Sequence, residues 1–376
     1  MDKGSIGLKK IIENRNYTAE QYVELINKYP KYWNSIKPNT LKANSLADEL
    51  NDGIAKFKDI YPNMQPAKMY FTIGEMRTNG ITMDSLVLIG SELAMADNKT
   101  DISEFEGRTK DWLETYFGAN PIEGLILLNV HEYVHTQQKP IPNNLLHQVL
   151  YEGVAEFVSV KAMGRPSDAP AIEFGNSNPK VKELFEKEMF YERTYDWMWS
   201  SSPNTFNVRD LGYYIGYAIS ERFYDQSENK KNSIATLIEL DYSKPNEIDK
   251  FIDQTDFFSK PIEKLRQEDL QNRPSITKIK EFDNGTNDVD PNTKKITFQF
   301  SEKLNGYNTG IDYSELGENA FPKINNRGWT SNSNSWFLEV DLKPRQDYEF
   351  LITSNFRTEN NIPLQSYLVK FDTREK

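Results

Sequence analysis

The pattern of apolar residues changes near residue 272, and this change constrains the fold more than any other feature of the sequence. From Thr18 to Asp269, apolar residues recur mostly at helical spacing. Beyond "NRPS" (272–275) the chain has short β-rich runs such as "KKITFQF" and "SWFLEVDL", separated by Asn, Gly, Ser and Asp clusters. The sequence therefore predicts an α+β protein, with a mostly helical domain over residues 1–272 and an all-β sandwich over residues 273–376.

Within the helical domain, the pattern predicts a helical N-terminal part over about residues 1–65 and then a small sheet. The sheet would be formed by "AKMYFTIG" (67–74) and "DSLVLIGSEL" (84–93), which are joined by the turn-forming "RTNG". Two helices follow, one from Pro121 to Lys139 and one from Asn143, a good N-cap, to Ala162. Another helix is predicted in "NPKVKELFEKEMFYERTYDWMWSS" (178–201).

Composition excludes several classes of protein. The chain has 45 basic and 56 acidic residues, and its net charge of −11 argues against binding to nucleic acid. It has no cysteine, so disulfides and thiolate zinc clusters are excluded, and nitrogen and oxygen atoms must hold any metal ion. No segment approaches the roughly 20 apolar residues of a transmembrane helix. The sequence thus predicts a chain without a transmembrane segment.

The motif "HEYVH" (131–135) uses two of the three histidines and falls on a predicted helix. Residues four apart lie on one face of a helix, so His131 and His135 can direct two imidazole nitrogens at one metal ion. Zinc bound in this way lowers the pKa of a bound water, and the adjacent Glu132 is the natural general base for that water. The motif therefore predicts a zinc site.

A zinc ion bound by two histidines needs a third protein ligand, and "YEGVAEF" (151–157) on the next predicted helix provides two candidates. Glu152 is the predicted third ligand. Glu156, one turn later, is the predicted acceptor that fixes the tautomer of a ligand histidine. The reverse assignment of the two glutamates remains open.

"HEYVH" followed by "YEGVAEF" resembles the gluzincin metallopeptidases, in which a glutamate on the helix after the motif completes the zinc site. The resemblance implies a zincin-like catalytic domain, with His131, His135 and Glu152 as ligands and Glu132 as the base. The Gly-Ala-Met-Glu-Asn signature of the aminopeptidase branch is absent, which favours an endopeptidase. The strand "LVLIGSEL" would then offer its edge to an extended peptide. The C-terminal domain resembles bacterial Ig-like domains of secreted and cell-surface proteins.

A zinc peptidase also needs a donor for the oxyanion. "RDLGYYIGYAIS" (209–220) places Tyr213 and Tyr217 on one helix face, and these tyrosines are the predicted donors, with Arg209 as an alternative. The competing interpretation is that both tyrosines pack in the core, as aromatic residues at helical spacing usually do. His147, the third histidine, is predicted to be structural.

These features lead to two functional hypotheses. The first is a zinc-dependent endopeptidase that acts on a peptide or protein substrate. The alternative is an envelope-associated binding or adhesion protein that keeps the zinc ion without turnover. Both hypotheses place the protein outside the cytoplasm, in the periplasm or at the cell surface, held by a lipid anchor or docked through the Ig-like domain. The start "MDKGSIGLKK" contains no leader, so this location requires one further upstream in the gene.

Overall fold

The computed structural model describes residues 4–191, 196–199, 204–331 and 333–375. Contacts divide the chain into two compact units, Met1–Ile262 and Glu263–Lys376. The first unit contains most of the helices and one small sheet, and the second is built mainly from β-strands. The prediction of an α+β protein is confirmed. The observed division lies ten residues before the predicted boundary at 272, because the last helix belongs mostly to the second unit.

The first unit comprises these elements in chain order: α1 (Ile6–Arg15), α2 (Ala19–Lys28), α3 (Pro30–Thr40), α4 (Ala47–Ile60), β1 (Lys68–Thr72), β2 (Gly80–Met83), β3 (Leu86–Gly90), α5 (Ser91–Ala94), α6 (Gly107–Gly118), α7 (Leu125–His135), α8 (Leu145–Met163), α9 (Pro170–Ser177), α10 (Lys180–Glu188), α11 (Leu211–Gln226), α12 (Lys230–Ile238) and α13 (Pro245–Gln254). The helix predicted over residues 178–201 is observed as α10, which ends at Glu188. Residues 192–195, 200 and 201 of that prediction lie outside the described residues.

The small sheet has the strand order β1-β3-β2. β1 pairs with β3 in parallel, and β2 pairs with β3 in antiparallel orientation. Strand β2 was not predicted from the sequence, because the turn-forming residues before it are also typical of a connection between two strands. The prediction that β3 offers a free edge to a peptide is wrong, since β3 is the central strand and is paired on both sides.

Helices α7 and α8 follow one another in the chain and pack together, and local signals determine where they begin and end. A 3-10 turn at Pro121–Gly124 leads into α7, which ends at His135 rather than at the predicted Lys139. The N-cap of α8 is Asn144, whose side chain accepts a hydrogen bond from the backbone N–H of His147 at 3.1 Å. Gly164 ends α8 in the left-handed conformation, with φ of 63°.

Two glycines allow α8 and α11 to cross at very short distance. A Cβ added at Gly153 would lie 2.1 Å from the backbone carbon of Gly216, and one added at Gly216 would lie 1.8 Å from the carbonyl oxygen of Val149. Atoms cannot approach so closely, so each position requires glycine. This crossing fixes α11, which carries Tyr213, against the helix that carries Glu152.

Glu92 in α5 is a fully buried carboxyl group at the end of the sheet. Its Oε1 accepts hydrogen bonds from the backbone N–H groups of Gly74 and Met76, both at 2.8 Å. Burial nevertheless raises the pKa of Glu92 to about 7, because these bonds and the others around it offset only part of the lost hydration. The folded state therefore binds a proton that the unfolded state releases between pH 4.5 and about 7.

We expect Glu92→Gln to remove this pH dependence. A raised carboxyl pKa gives stability that is present below pH 4.5 and lost as the pH rises to about 7. Relative to wild type, Glu92→Gln should therefore gain about 3 kcal/mol of unfolding free energy between pH 5 and pH 8. The glutamine Oε1 can still accept both backbone N–H groups. Chemical unfolding of both proteins across this range measures the difference, and parallel pH profiles would contradict the expectation.

Over its described residues, the second unit contains α14 (Ile262–Asn272), which begins at the last residue of the first unit, and seven strands: β4 (Ile276–Ile279), β5 (Lys295–Phe300), β6 (Ile311–Tyr313), β7 (Lys323–Trp329), β8 (Ser335–Asp341), β9 (Asp347–Ile352) and β10 (Tyr367–Asp372). One sheet has the order β4-β5-β8-β7 and the other β10-β9-β6. The alternating apolar residues of both sheets, such as Phe298, Trp336 and Phe350, form a single core. The unit is therefore a two-layer β structure, and its Ig-like identity remains a prediction.

Candidate metal centre

Three buried side chains from α7 and α8 bring one donor atom each to a common point. The Nε2 atoms of His131 and His135 lie 3.1 Å apart, and the Oε2 atom of Glu152 lies 3.3 Å and 3.2 Å from them. Only 5 to 9% of the surface of each residue is exposed. Among the described residues, these three form the group whose positions suit a metal ion.

The spacing of the three atoms matches a tetrahedral metal site. Ligands bound at the usual zinc distances of about 2.0–2.1 Å in tetrahedral geometry lie about 3.3 Å from one another. The two imidazoles are held by helical spacing on α7, and Glu152 reaches them from α8, as the sequence predicts. The donor set therefore fits a zinc ion.

His131 is oriented by Glu156, one turn after Glu152 on α8. The Nδ1 atom of His131 lies 2.9 Å from Oε2 of Glu156, and the other carboxylate oxygen of Glu156 contacts Ser167 Oγ. Burial lowers the pKa of His131, but the hydrogen bonds to Glu152 and Glu156 outweigh burial and raise this pKa to about 10. Because Glu156 accepts a hydrogen bond from Nδ1, the neutral imidazole would carry its lone pair on Nε2, the atom that lies beside Glu152 and His135.

The charges of the cluster also favour a cation. Burial raises the pKa of Glu152, but the positive charge of His135 and the hydrogen bond to His131 outweigh burial and hold the pKa well below its usual range. Burial likewise raises the pKa of Glu156, but the hydrogen bond and the charge interaction with His131 outweigh burial. The pKa of Glu156 is therefore below its usual value. The protonated histidines balance these two buried carboxylates, and a divalent metal ion bound to neutral imidazoles would supply the same positive charge.

His135 has a polar partner that the sequence did not predict. Gln138 places its Oε1 atom 2.6 Å from Nδ1 of His135, and its Nε2 donates to the carbonyl oxygen of Tyr151 at 3.0 Å. The ring of Tyr151 is stacked on the His135 ring, with centroids 4.5 Å apart. The only hint in the sequence was a polar side chain three residues after the second histidine.

Glu132, the predicted general base, is buried against strand β2. Thr82 Oγ1 lies 2.7 Å from the carbonyl oxygen and 3.0 Å from Oε2 of Glu132. Gly80 lies so close that an added Cβ would be 2.5 Å from Oε1 of Glu132. Burial raises the pKa of Glu132, in spite of the neighbouring histidines. The carboxyl group thus links α7 to the sheet.

The two predicted oxyanion donors occupy different environments on α11. The ring of Tyr213 lies 6.0 Å from that of His131, and its hydroxyl accepts a long hydrogen bond of 3.4 Å from Trp199 Nε1. Tyr217 is 7% exposed and packs edge-on against Phe157, as a core residue does. The alternative, Arg209, pairs with the adjacent Asp210 at 3.6 Å. Of the two predicted donors, Tyr213 is therefore the one that lies next to a ligand histidine.

Fold and site together define an α+β protein with a buried His-His-Glu candidate metal centre. A family model described as "Gliding motility protein GldB" matches residues 6–248, which is more than half of the chain and includes the whole centre. This chain belongs to the gliding motility protein GldB family. The family is a lipoprotein family, so the chain is associated with the cell envelope.

Other comparisons add little. No curated protein matches the chain. Among solved structures, the crystal structure of the S-layer protein rSbsC(31-844) is similar at 10% identity and a TM-score of 0.20, over 74% of this chain and 43% of that one. The N-terminal part of the bacterial S-layer protein SbsC is similar at 9% identity and the same TM-score, over 94% of this chain and 57% of that one. The chain spans about half the length of these proteins, and similarity at this level carries no inference.

The family membership corrects the first hypothesis of the sequence analysis. The chain belongs to a gliding motility family and not to the gluzincin metallopeptidases, so the predicted endopeptidase and its hydrolase activity are wrong. The predicted peptide or protein substrate has no support from the family. The catalytic roles predicted for Glu132, Tyr213 and Tyr217 depended on that peptidase reaction and are not retained. The alternative of an envelope-associated binding protein agrees better with the family.

Proposed function

We propose that this protein acts in gliding motility as an envelope-associated binding protein whose fold includes one zinc ion, held by His131, His135 and Glu152 without turnover. The observation that carries the proposal is the convergence of three buried donor atoms, 3.1 to 3.3 Å apart, inside the part of the chain that matches the family. The metal ion would join α7 to α8 across the loop between them. Three protein ligands leave the fourth tetrahedral position to water or to a donor atom of a bound partner.

Two imidazoles and one carboxylate favour zinc over the other common divalent ions. Calcium and magnesium prefer sites made of oxygen atoms alone. Imidazole nitrogen suits zinc and other transition metals, and the tetrahedral spacing of the donor atoms supports zinc among these. Because the chain has no cysteine, thiolate ligands do not compete for the ion.

The proposed location is the periplasm or the cell surface. Membership of a lipoprotein family supports a lipid anchor as the means of attachment. Among the described residues, no helix has the length and apolar character needed to cross a membrane. The β unit is a second candidate for docking at the envelope, because it lies outside the part that matches the family model.

We expect Glu132→Gln to preserve both gliding and metal binding. Glutamine has the shape of glutamate and can still bond to Thr82, but it cannot take a proton from a metal-bound water. The assay uses a gliding bacterium that lacks its own member of the family. If the metal ion stabilises the fold and contributes to partner binding without catalysis, the gene for the variant should restore gliding as well as the wild-type gene does. The measurement is the speed of single cells on a surface.

Immunoblots of membrane fractions control for the amount of protein in this assay. A stable Glu132→Gln protein that fails to support gliding would contradict the proposal, because only turnover requires the carboxylate. Zinc content measured on the same purified variant separates a loss of gliding from a loss of the metal ion.

A further inference from the structure

Gln138 lies three residues beyond His135, the last residue of α7. After His135 the backbone continues in tight turns, in which the N–H of Gln137 bonds to the carbonyl oxygen of Val134 at 2.8 Å and the N–H of Gln138 bonds to that of His135 at 3.3 Å. These turns bring the side chain of Gln138 back towards the edge of the His135 ring. Its amide therefore lies within hydrogen-bonding distance of Nδ1, on the ring edge opposite the candidate metal position.

The second contact of Gln138 determines which way its amide points. A backbone carbonyl oxygen can only accept, so the atom of Gln138 that bonds to the carbonyl of Tyr151 must be the Nε2 donor. The Oε1 atom must then face His135, and an amide oxygen can only accept. It follows that Nδ1 of His135 carries a proton, so that in the neutral imidazole the lone pair is on Nε2. This tautomer is the one that binds metal through Nε2.

We propose that Gln138 is a positioning residue that fixes the tautomer and the orientation of His135 for metal binding. The proposal rests on the metal site described under the proposed function, and it adds a residue to that site. The stacked ring of Tyr151 limits tilting of the His135 ring, and the Gln138 oxygen favours the tautomer that has its proton on Nδ1. Gln138 thus does for His135 what Glu156 does for His131.

The two histidines differ in the charge of their partners. His131 faces the carboxylate of Glu156, and His135 faces a neutral amide. A carboxylate raises the basicity of the imidazole more than an amide does. A variant with glutamate at position 138 should therefore keep the acceptor and bind metal at least as tightly as wild type, although it loses the donor to Tyr151.

The test compares Gln138→Leu, Gln138→Glu and wild type for zinc affinity, measured by competition with a chromophoric chelator. We expect Gln138→Leu to bind zinc about 10- to 100-fold more weakly, which is the usual effect of removing such a partner. Gln138→Glu should match or exceed wild type. The matched control is Gln137→Leu, because Gln137 bonds to Gln65 and does not contact His135.

A second readout reports the tautomer directly. The chain has only three histidines, so 15N-labelled histidine gives few and assignable signals in long-range 1H–15N spectra. The Nδ1 proton of His135 should appear as a slowly exchanging, downfield-shifted signal in wild type and in Gln138→Glu, and it should be absent in Gln138→Leu. Circular dichroism spectra establish that each variant is folded, and Gln138→Glu remains informative if the leucine variant is not.

The possible outcomes distinguish this inference from the proposed function. Wild-type protein that binds no zinc would overturn the metal site itself. If wild type binds zinc and Gln138→Leu binds it equally well, the role of Gln138 is overturned while the metal site stands. If Gln138→Leu and Gln138→Glu weaken zinc binding equally, the proposed role of Gln138 is also overturned. The hydrogen bond donated to Tyr151, and not the acceptor for His135, would then be the important contact.

Discussion

Gly216→Ala is expected to lower the unfolding free energy of the first unit by about 3 kcal/mol, the upper part of the range for overpacked cores. The new methyl group would lie 1.8 Å from the carbonyl oxygen of Val149, which is backbone and cannot move aside alone. Helices α8 and α11 must therefore separate. Alanine favours a helix by about 1 kcal/mol over glycine, which offsets only part of the loss.

The measurement is the thermal midpoint of the full chain, which should fall by about 6–12 °C for a domain of this size. Gly118→Ala is the matched control, because Gly118 is also helical and a Cβ there would meet no atom within 4 Å. The control should be neutral or slightly stabilising. A midpoint for Gly216→Ala at or above that of the control would show that the two helices do not cross as closely as the structure has them.

The second large effect is expected from His131→Ala. The substitution removes one predicted ligand and leaves the buried carboxylates of Glu152 and Glu156 each without one of their partners. A ligand present at 1,000 times its dissociation constant stabilises the folded state by about 4 kcal/mol, and the variant should lose this contribution. A chelator should therefore lower the thermal midpoint of wild type and leave that of the variant unchanged.

His147→Ala is the control for this experiment. Like His131, His147 is a buried histidine, but it lies on α8. Its ring lies near that of Tyr242, with centroids 5.9 Å apart, and it is not one of the three candidate ligands. This variant should lose packing energy and still respond to the chelator as wild type does. A chelator response that survives in His131→Ala would place the metal ion elsewhere.

The sequence predicted the candidate site better than the function. Helical spacing alone brings His131 and His135 to one face of α7, and a glutamate on the following helix was within reach, so the convergence of these residues with Glu152 followed from local rules. The same residues do not specify what happens at the metal ion. A motif shared with peptidases led to a peptidase hypothesis that the family membership overturned.

The features that the sequence did not reveal depend on tertiary contacts. Gln138 reaches His135 only because the chain makes tight turns after α7, and no periodic pattern encodes such turns. Strand β2 is four residues long, and its partner β3 also pairs with β1, so its place in the sheet depends on a neighbour distant in the sequence. The contact that requires glycine at position 216 is with the carbonyl oxygen of Val149, which lies on another helix and cannot be read from the sequence around Gly216.

The most direct test of the metal centre is the zinc content of the purified full-length protein, measured by elemental analysis together with protein concentration. Wild type and His147→Ala should each contain about one zinc ion per chain, as expected for a single site with three protein ligands. His131→Ala should contain almost none. Wild-type protein that contains no zinc after purification without chelators, and takes up none when zinc is supplied, would contradict the account.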